Sequence, residues 1–365
     1  MITTGQTQGM VKKPRSSNLE LYRIICMIMI VAHHYVVNSG LINAEGPILA
    51  NPSSANSIYL LFLGMWGKTG INCFLMITGY FMCTSKITLR KIIKLLLQLY
   101  IYKVIIYIIF YCTGYETVSL TGLIKLVMPF WGFNSNFVSC FLVFYLLIPF
   151  LSILVQNLSQ KQHQLLLVLL LSCYTILGTI PYFEISFSYI TWFSVIFLIA
   201  SYFRIYSLPI FQRKKMWGRL TLLSIFVSVL SVLVMNRFLG HHQYFFMEDS
   251  NRIMALLVAV CSFLWFKNIN IKYSKIINAI GSATFGVLLI HANSDAMRVW
   301  LWHDIIDSVG HYVLPLPNLV LYSIGSVLII FTVCTVIDLL RQRLLEQPFF
   351  AWYDRVHIQK GEECQ

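Results

Sequence analysis

Arg23 and His34 stand eleven residues apart in the apolar stretch LYRIICMIMIVAHHYVV, residues 21–37. At ~100° per residue that spacing is three turns plus ~20°, so a helix projects both side chains from one face, ~16 Å apart along its axis. Polar groups are costly in hydrocarbon unless they are paired or wet. Histidine is the side chain whose ordinary pKa suits proton transfer near neutrality, and arginine holds anions through charge-assisted hydrogen bonds. A base and a cation on one face point to acid–base chemistry in a polar cavity. A snorkelling arginine and an interfacial histidine explain each residue taken singly; the shared face argues for the cavity. His33 is turned ~80° aside from Arg23 and suits packing or hydrogen bonding. Glu20 falls on a different face from Arg23 but is close enough to pair elsewhere.

A second histidine, His291, sits in GSATFGVLLIHANSD. Its helix is expected to begin near Ala279, which puts His291 ~18 Å along it, at the depth of His34. Two histidines at one level line one site, or each bonds a backbone carbonyl independently; the spacing does not choose. Lys68, Asn72, Thr78 and Gly79 put polar and small residues into the second apolar run, where small residues let a helix or a ligand approach. Arg90, Lys91 and Lys94 follow at its far end. Such a cluster sets topology, and it also suits the phosphates of an anionic cofactor.

The elements that must carry these residues are set by composition. The 365 residues are 58% hydrophobic and 11% charged, with mean hydropathy +0.73; soluble domains carry roughly 25% charged residues. The chain reads as an all-α polytopic membrane protein, about ten transmembrane helices of roughly 16–22 residues in one bundle. The expected spans are 19–38, 69–85, 92–112, 137–157, 164–181, 187–206, 220–239, 252–268, 279–296 and 318–340. The apolar segment 57–67 reads as an outer-surface helix leading into the second span.

Lys and Arg alternate between loops. One set holds Lys12, Lys13, Arg15, Lys86, Arg90, Lys91, Lys94, Lys161, Arg204, Arg213, Lys214, Lys215, Arg219, Lys267, Lys272, Lys275, Arg341, Arg343, Arg355 and Lys360. The other holds Lys68, Lys125, Arg237, Arg252 and Arg298. The asymmetry places both termini in the cytoplasm and favours an even span count. Residues 1–18 form a cytoplasmic tail, 19–350 the membrane domain and 351–365 a second cytoplasmic tail. The net charge of +13 is thereby a topology signal and no argument for nucleic acid. The basic stretch FQRKKMWGR is read first as an orientation signal, with anionic lipid or nucleotide binding as the second reading. The nine cysteines are scattered through apolar runs and read as small buried hydrophobes; no metal-ligand spacing is present.

Together these residues resemble the acyltransferase-3 family of membrane acyltransferases. ELYRIICMIMIVAHHY matches its signature of Arg, ten residues, then His. TGINCFLMITGYFM is similar to its second-span segment, with Thr78 where a serine is usual and Cys73 in place of an aromatic. ITLRKIIKLLLQLYIY resembles the following basic segment, with Arg90-Lys91 and Lys94 where an Arg-x-Arg pair is usual. NFVSCFLVFYLLIPFL, IGSATFGVLLIHA and LLEQPFF resemble later segments, the last its Glu-x-Pro, in the right order from Asn18 to Phe350.

The resemblance implies transfer of an acyl group, commonly acetyl, from cytoplasmic acyl-CoA (acetyl-CoA in that case) to a hydroxyl of an extracytoplasmic glycan or lipid-linked sugar. It implies His34 as base with Arg23 and His291 beside it in catalysis, and Arg23, Arg90 and Lys91 as the cations for CoA. The setting is a multi-pass protein of the bacterial plasma membrane, with no metal. Its partners are the acceptor and the bilayer, with a homodimer or glycan-assembly proteins as protein partners. The sequence leaves no room for a fused esterase-like domain. The alternative is a transporter or flippase for polysaccharide or lipid-linked sugar, which buried cations would also suit.

Overall fold

A computed structural model describes residues 16–131, 136–183, 185, 187–240 and 242–362, with side chains described to residue 356. Lys12, Lys13 and Arg15 lie outside the described residues. Among those described, the regular structure is helical throughout.

The helices in chain order are α1 Ser17–Val37, α2 Pro47–Ala50, α3 Ala55–Gly64, α4 Gly67–Met82 and α5 Leu89–Cys112. Then come α6 Leu120–Val127, α7 Phe137–Asn157, α8 Gln160–Leu171, α9 Tyr189–Ile205 and α10 Lys214–Leu239. Last are α11 Ile253–Lys267, α12 Lys275–His291, α13 Asp295–Val299, α14 Leu316–Arg341 and α15 Gln347–Glu362. Each of the ten expected spans falls on a helix. Among the described residues, six stretches are long and apolar enough to cross a membrane alone, and a seventh joins if α12 counts with its continuation, which bends by 97°. α9 and α11 are apolar but shorter, and the expected span 164–181 is α8 followed by a π-helical turn, Ser172–Leu177. The segment read as an outer-surface helix, α3, runs almost without interruption into α4, and residues 55–82 qualify as one crossing stretch. The stretch read as a C-terminal tail is largely the second half of α15.

α1 is the hub. It contains neither glycine nor proline over 21 residues, so nothing in its interior breaks the backbone ladder. It stops at Asn38, whose N–H bonds the His34 carbonyl at 3.0 Å, and Gly40 at φ +88° turns the chain away, a conformation glycine adopts without a Cβ penalty. α1 packs against α3, α4, α11, α12 and α14. One of its sides (Met27, Ile30, Val31, Tyr35) joins a core shared with α3, α5, α12 and α14. The other (Leu19, Tyr22, Cys26) joins a core shared with α4, α7, α9 and α11.

The periphery is built differently. Only 17% of the apolar window of α10 and 22% of that of α5 is buried, against 72% for residues 55–82. Leu222, Phe226, Ile108, Ile109, Leu321 and Ile329 are exposed on the outer helices. Apolar surface on that scale is stable only against lipid, which makes α1 the protein-facing centre and α5, α10 and α14 the lipid-facing rim.

Candidate functional site

The helix lengths bring His34 and His291 to one level. From Ser17 to His34 the rise is ~26 Å, and from Lys275 to His291 ~24 Å. α1 and α12 pack together, and His34 Nδ1 lies 2.9 Å from His291 Nε2, with ring centroids 5.1 Å apart. His291 is the last residue of α12, immediately before the 97° bend. It is buried, 1% exposed, and its Nδ1 lies 2.6 Å from the Val287 carbonyl.

That geometry assigns the protons. A carbonyl only accepts, so His291 carries its hydrogen on Nδ1 and, when neutral, presents a lone pair at Nε2. His34 Nδ1 must then donate into that lone pair. Neutral His34 is left with an unprotonated Nε2 on a side chain that is only half-buried. The chain Val287 C=O, His291, His34 thus engages one ring nitrogen of His34 and leaves the other with a lone pair able to accept a proton. His33 has a different job. Its Nδ1 donates to the Gly64 carbonyl at 2.6 Å, and its ring occupies the space a Cβ at Gly67 would need, so it fastens α1 to the α3–α4 junction.

Arg23 lies ~16 Å below His34 on α1. Its guanidinium donates to both carboxylate oxygens of Glu20, at 3.1 and 3.0 Å, and sits 5.8 Å from the Phe74 ring centroid. Glu20 therefore pairs with Arg23 despite the different face of its position. Positions three apart are neighbours on a helix surface, and two long side chains close the ~60° between them. Gly281 of α12 is what admits Glu20 here: a Cβ on Gly281 would overlap its carboxylate.

The polar residues of the second span are internal braces. Asn72 takes the Trp192 indole N–H at 2.9 Å and donates to the Ser250 carbonyl at 2.7 Å. Thr78 bonds the Phe74 carbonyl at 3.1 Å. Gly79 lets Phe197 and Ala200 of α9 approach. Lys68 donates to the Tyr189 hydroxyl at 2.8 Å and lies 3.9 Å from Asp249.

Below the histidine level is a second polar cluster, on α5, α14 and the π-helical turn Gln342–Glu346 that follows α14. Asp338 is 0% exposed. Its Oδ1 accepts from Tyr102 at 2.7 Å, Arg341 at 2.9 Å and Gln98 at 3.1 Å, and its Oδ2 from Gln342 at 2.7 Å. Arg341 also reaches Glu346 at 2.8 Å, and Glu346 takes Lys94 at 2.5 Å. Residues five apart do not align on an α-helix, but Gln342–Glu346 is a π-helical turn, whose wider spiral brings Glu346 round to Arg341. Gly286 of α12 leaves the room for Asp338.

Residues 16–335 match the acyltransferase-3 family, described as an acyltransferase domain. The chain belongs to the acyltransferase-3 family. Neither a curated protein nor a solved structure matches it. It is thus a membrane acyltransferase, and the transporter reading gives way to group-transfer chemistry. The matched segment contains Arg23, His34, Arg90, Lys91 and His291 and ends short of Asp338.

Of this acyltransferase's expected site residues, the structure joins His34 to His291 directly and places Arg23 on the same helix beneath them. Arg90 and Lys91 are exposed at the start of α5. Arg90 pairs with Asp354 of α15 at 2.8 Å and lies 4.9 Å over the Phe350 ring. Lys91 bonds the Lys86 carbonyl at 2.7 Å. The cluster around Asp338 escaped the sequence reading. Its signal was present in VIDLLRQRLLEQP: opposite charges three apart inside an apolar run mark an intrahelical pair, and the Glu-x-Pro supplies the second carboxylate.

Proposed function

We propose that this acyltransferase carries an acyl group, acetyl in the simplest case, from cytoplasmic acyl-CoA to a hydroxyl of a glycan or lipid-linked sugar on the opposite face of a bacterial plasma membrane. The observation that supports this reading is the His34–His291 pair, which leaves His34 Nε2 as an oriented base. A hydroxyl attacks a thioester well only as it loses its proton, and a positioned base contributes ~10²–10⁴ in rate. His34 Nε2 takes the acceptor's hydroxyl proton while the oxygen bonds the acyl carbon. The carbon–sulfur bond breaks, and the CoA thiolate receives that proton. His291 holds the imidazole by accepting from its Nδ1 throughout.

Arg23, Arg90 and Lys91 receive the donor's anionic end. Among the described residues Lys91 has no carboxylate partner, so it is the first contact for phosphate, whereas Arg90 exchanges Asp354 for it. The acyl group then covers the ~16 Å between the levels of Arg23 and His34.

The test uses inverted membrane vesicles from cells with and without the gene, given labelled acetyl-CoA, followed by mass analysis of the glycan. Acyl label on the glycan in a gene- and His34-dependent way supports the reading. A glycan of identical mass with and without the gene refutes the acceptor class. Unchanged CoA affinity in purified Arg90→Ala/Lys91→Ala protein refutes the donor site. The orientation is tested separately: reporter fusions after Ser57 and Ser308 read outside and one after Lys214 reads inside, and a cytoplasmic Ser57 fusion overturns it.

A further inference from the structure

The start of α10 carries a feature that acyl transfer does not use. Lys214, Lys215, Gly218, Arg219 and Leu222 line a surface groove of about 300 Å³ whose far wall is Trp265 of α11. Their spacing puts them on one continuous stripe of the helix. Gly218 makes the groove: a Cβ there would stand 3.1 Å from the Trp265 indole nitrogen, so its absence leaves that N–H at the floor.

The cations of this groove differ from several others near the membrane boundary. Arg23, Arg90, Lys94, Arg298 and Arg341 each pair with a carboxylate of the same chain. Among the described residues Lys214, Lys215 and Arg219 pair with none, although all three are exposed and share one face. Three unneutralised cations around a concave surface call for an anion with several acceptor oxygens, and a phosphate has them. The stripe continues into apolar surface: Leu222 and Phe226 are 62% and 64% exposed, on a helix whose rim face lies against lipid. A soluble phosphate would have no use for those side chains, whereas acyl chains would lie along them. Trp265 is of the type that settles at the headgroup level of a bilayer.

We propose that this groove is a binding site for an anionic phospholipid, with the phosphate on Lys214, Lys215 and Arg219, the Trp265 N–H as a neutral donor, and the acyl chains along Leu222 and Phe226. Clustered cations at a membrane surface attract anionic lipid.

The experiment is native mass spectrometry of the full-length protein in detergent, titrated with phosphatidylglycerol or phosphatidylcholine. The wild type binds phosphatidylglycerol in preference. Lys214→Gln/Lys215→Gln/Arg219→Gln weakens that binding by about tenfold to hundredfold. A control that removes the same charge elsewhere, Lys161→Gln/Lys272→Gln/Lys275→Gln, retains it. Equal binding of the two lipids, equal binding by the groove variant, or equal loss in the control overturns the site. Full displacement of the lipid by millimolar inorganic phosphate also overturns it, because the ligand would then be a soluble phosphate.

Discussion

At the C-terminal end of α12 two imidazoles meet in one hydrogen bond. On α14, beside the middle of the same helix, two carboxylates meet two cations, two amides and a phenol. Both groups are buried polar chemistry in an apolar bundle, and both rest on α12, through His291 in one case and through the space at Gly286 in the other. They differ in what is left over. Every oxygen of Asp338 and Glu346 is occupied, from 2.5 to 3.1 Å. The histidine relay ends in an unused nitrogen. A saturated network holds helices in register; a chain of donors that runs out leaves a reactive atom. The first is read through stability and the second through rate.

Substitutions at the two regions should separate along those axes. His34→Ala is expected to have the largest effect, a ~10²–10⁴ loss in acylated glycan per unit of inserted protein, with little change in thermal melting. Melting that collapses along with activity would make His34 a structural residue and remove the contrast. Asp338→Ala does the reverse. It leaves buried Arg341 with Glu346 as its one carboxylate and strips Tyr102, Gln98 and Gln342 of an acceptor, which costs about 3–5 kcal/mol, measured as a lower melting temperature in detergent; an unshifted melt would show that the network carries no stability.

His291 tests the relay itself. His291→Leu removes the acceptor for His34 Nδ1 and should lower the rate by about tenfold to hundredfold, between a full base deletion and a neutral change. His291→Gln, whose amide oxygen can accept, should recover much of it. Equal loss in both would assign His291 a role other than accepting from His34. The smallest effect is expected for His33→Ala. It gives up one bond to Gly64, about 1 kcal/mol of stability, and should keep the rate within about twofold of wild type, since no step of general-base catalysis passes through it. Loss of activity in His33→Ala alone would mean that α1 is rotated from the orientation described.

The contrast also explains what the sequence disclosed. Arg23 and His34 were readable because helical periodicity is set by the backbone and needs no partner to compute. The equal depth of His34 and His291 was readable because both helices start at boundaries marked by polar residues. The hydrogen bond between them was not, because it depends on how α1 and α12 are rotated and on His291 ending its helix. The cluster around Asp338 was hidden for another reason: the π-helical turn at Gln342–Glu346 breaks the 100° rule that placed everything else. Glu20 misled in a smaller way, since side-chain length closed an angle that the projection kept open.

The histidine pair joins residues 257 positions apart in the chain. At ~5–20 residues per second of synthesis, His34 waits roughly 13–50 s for His291 to exist. Arg23 waits for nothing, because Glu20 precedes it by three residues and enters the bilayer with it. Asp338 likewise arrives after Gln98 and Tyr102 and just ahead of Arg341. The groups whose stranded charge would be hardest to hold in lipid have partners made before them or within the next turn. His34, which waits far longer than these, is a group that can stay neutral. The order of residues along the chain is thus also a timetable for membrane insertion, in which the histidine pair is assembled near the end, after nearly all of the helices that enclose it have been made.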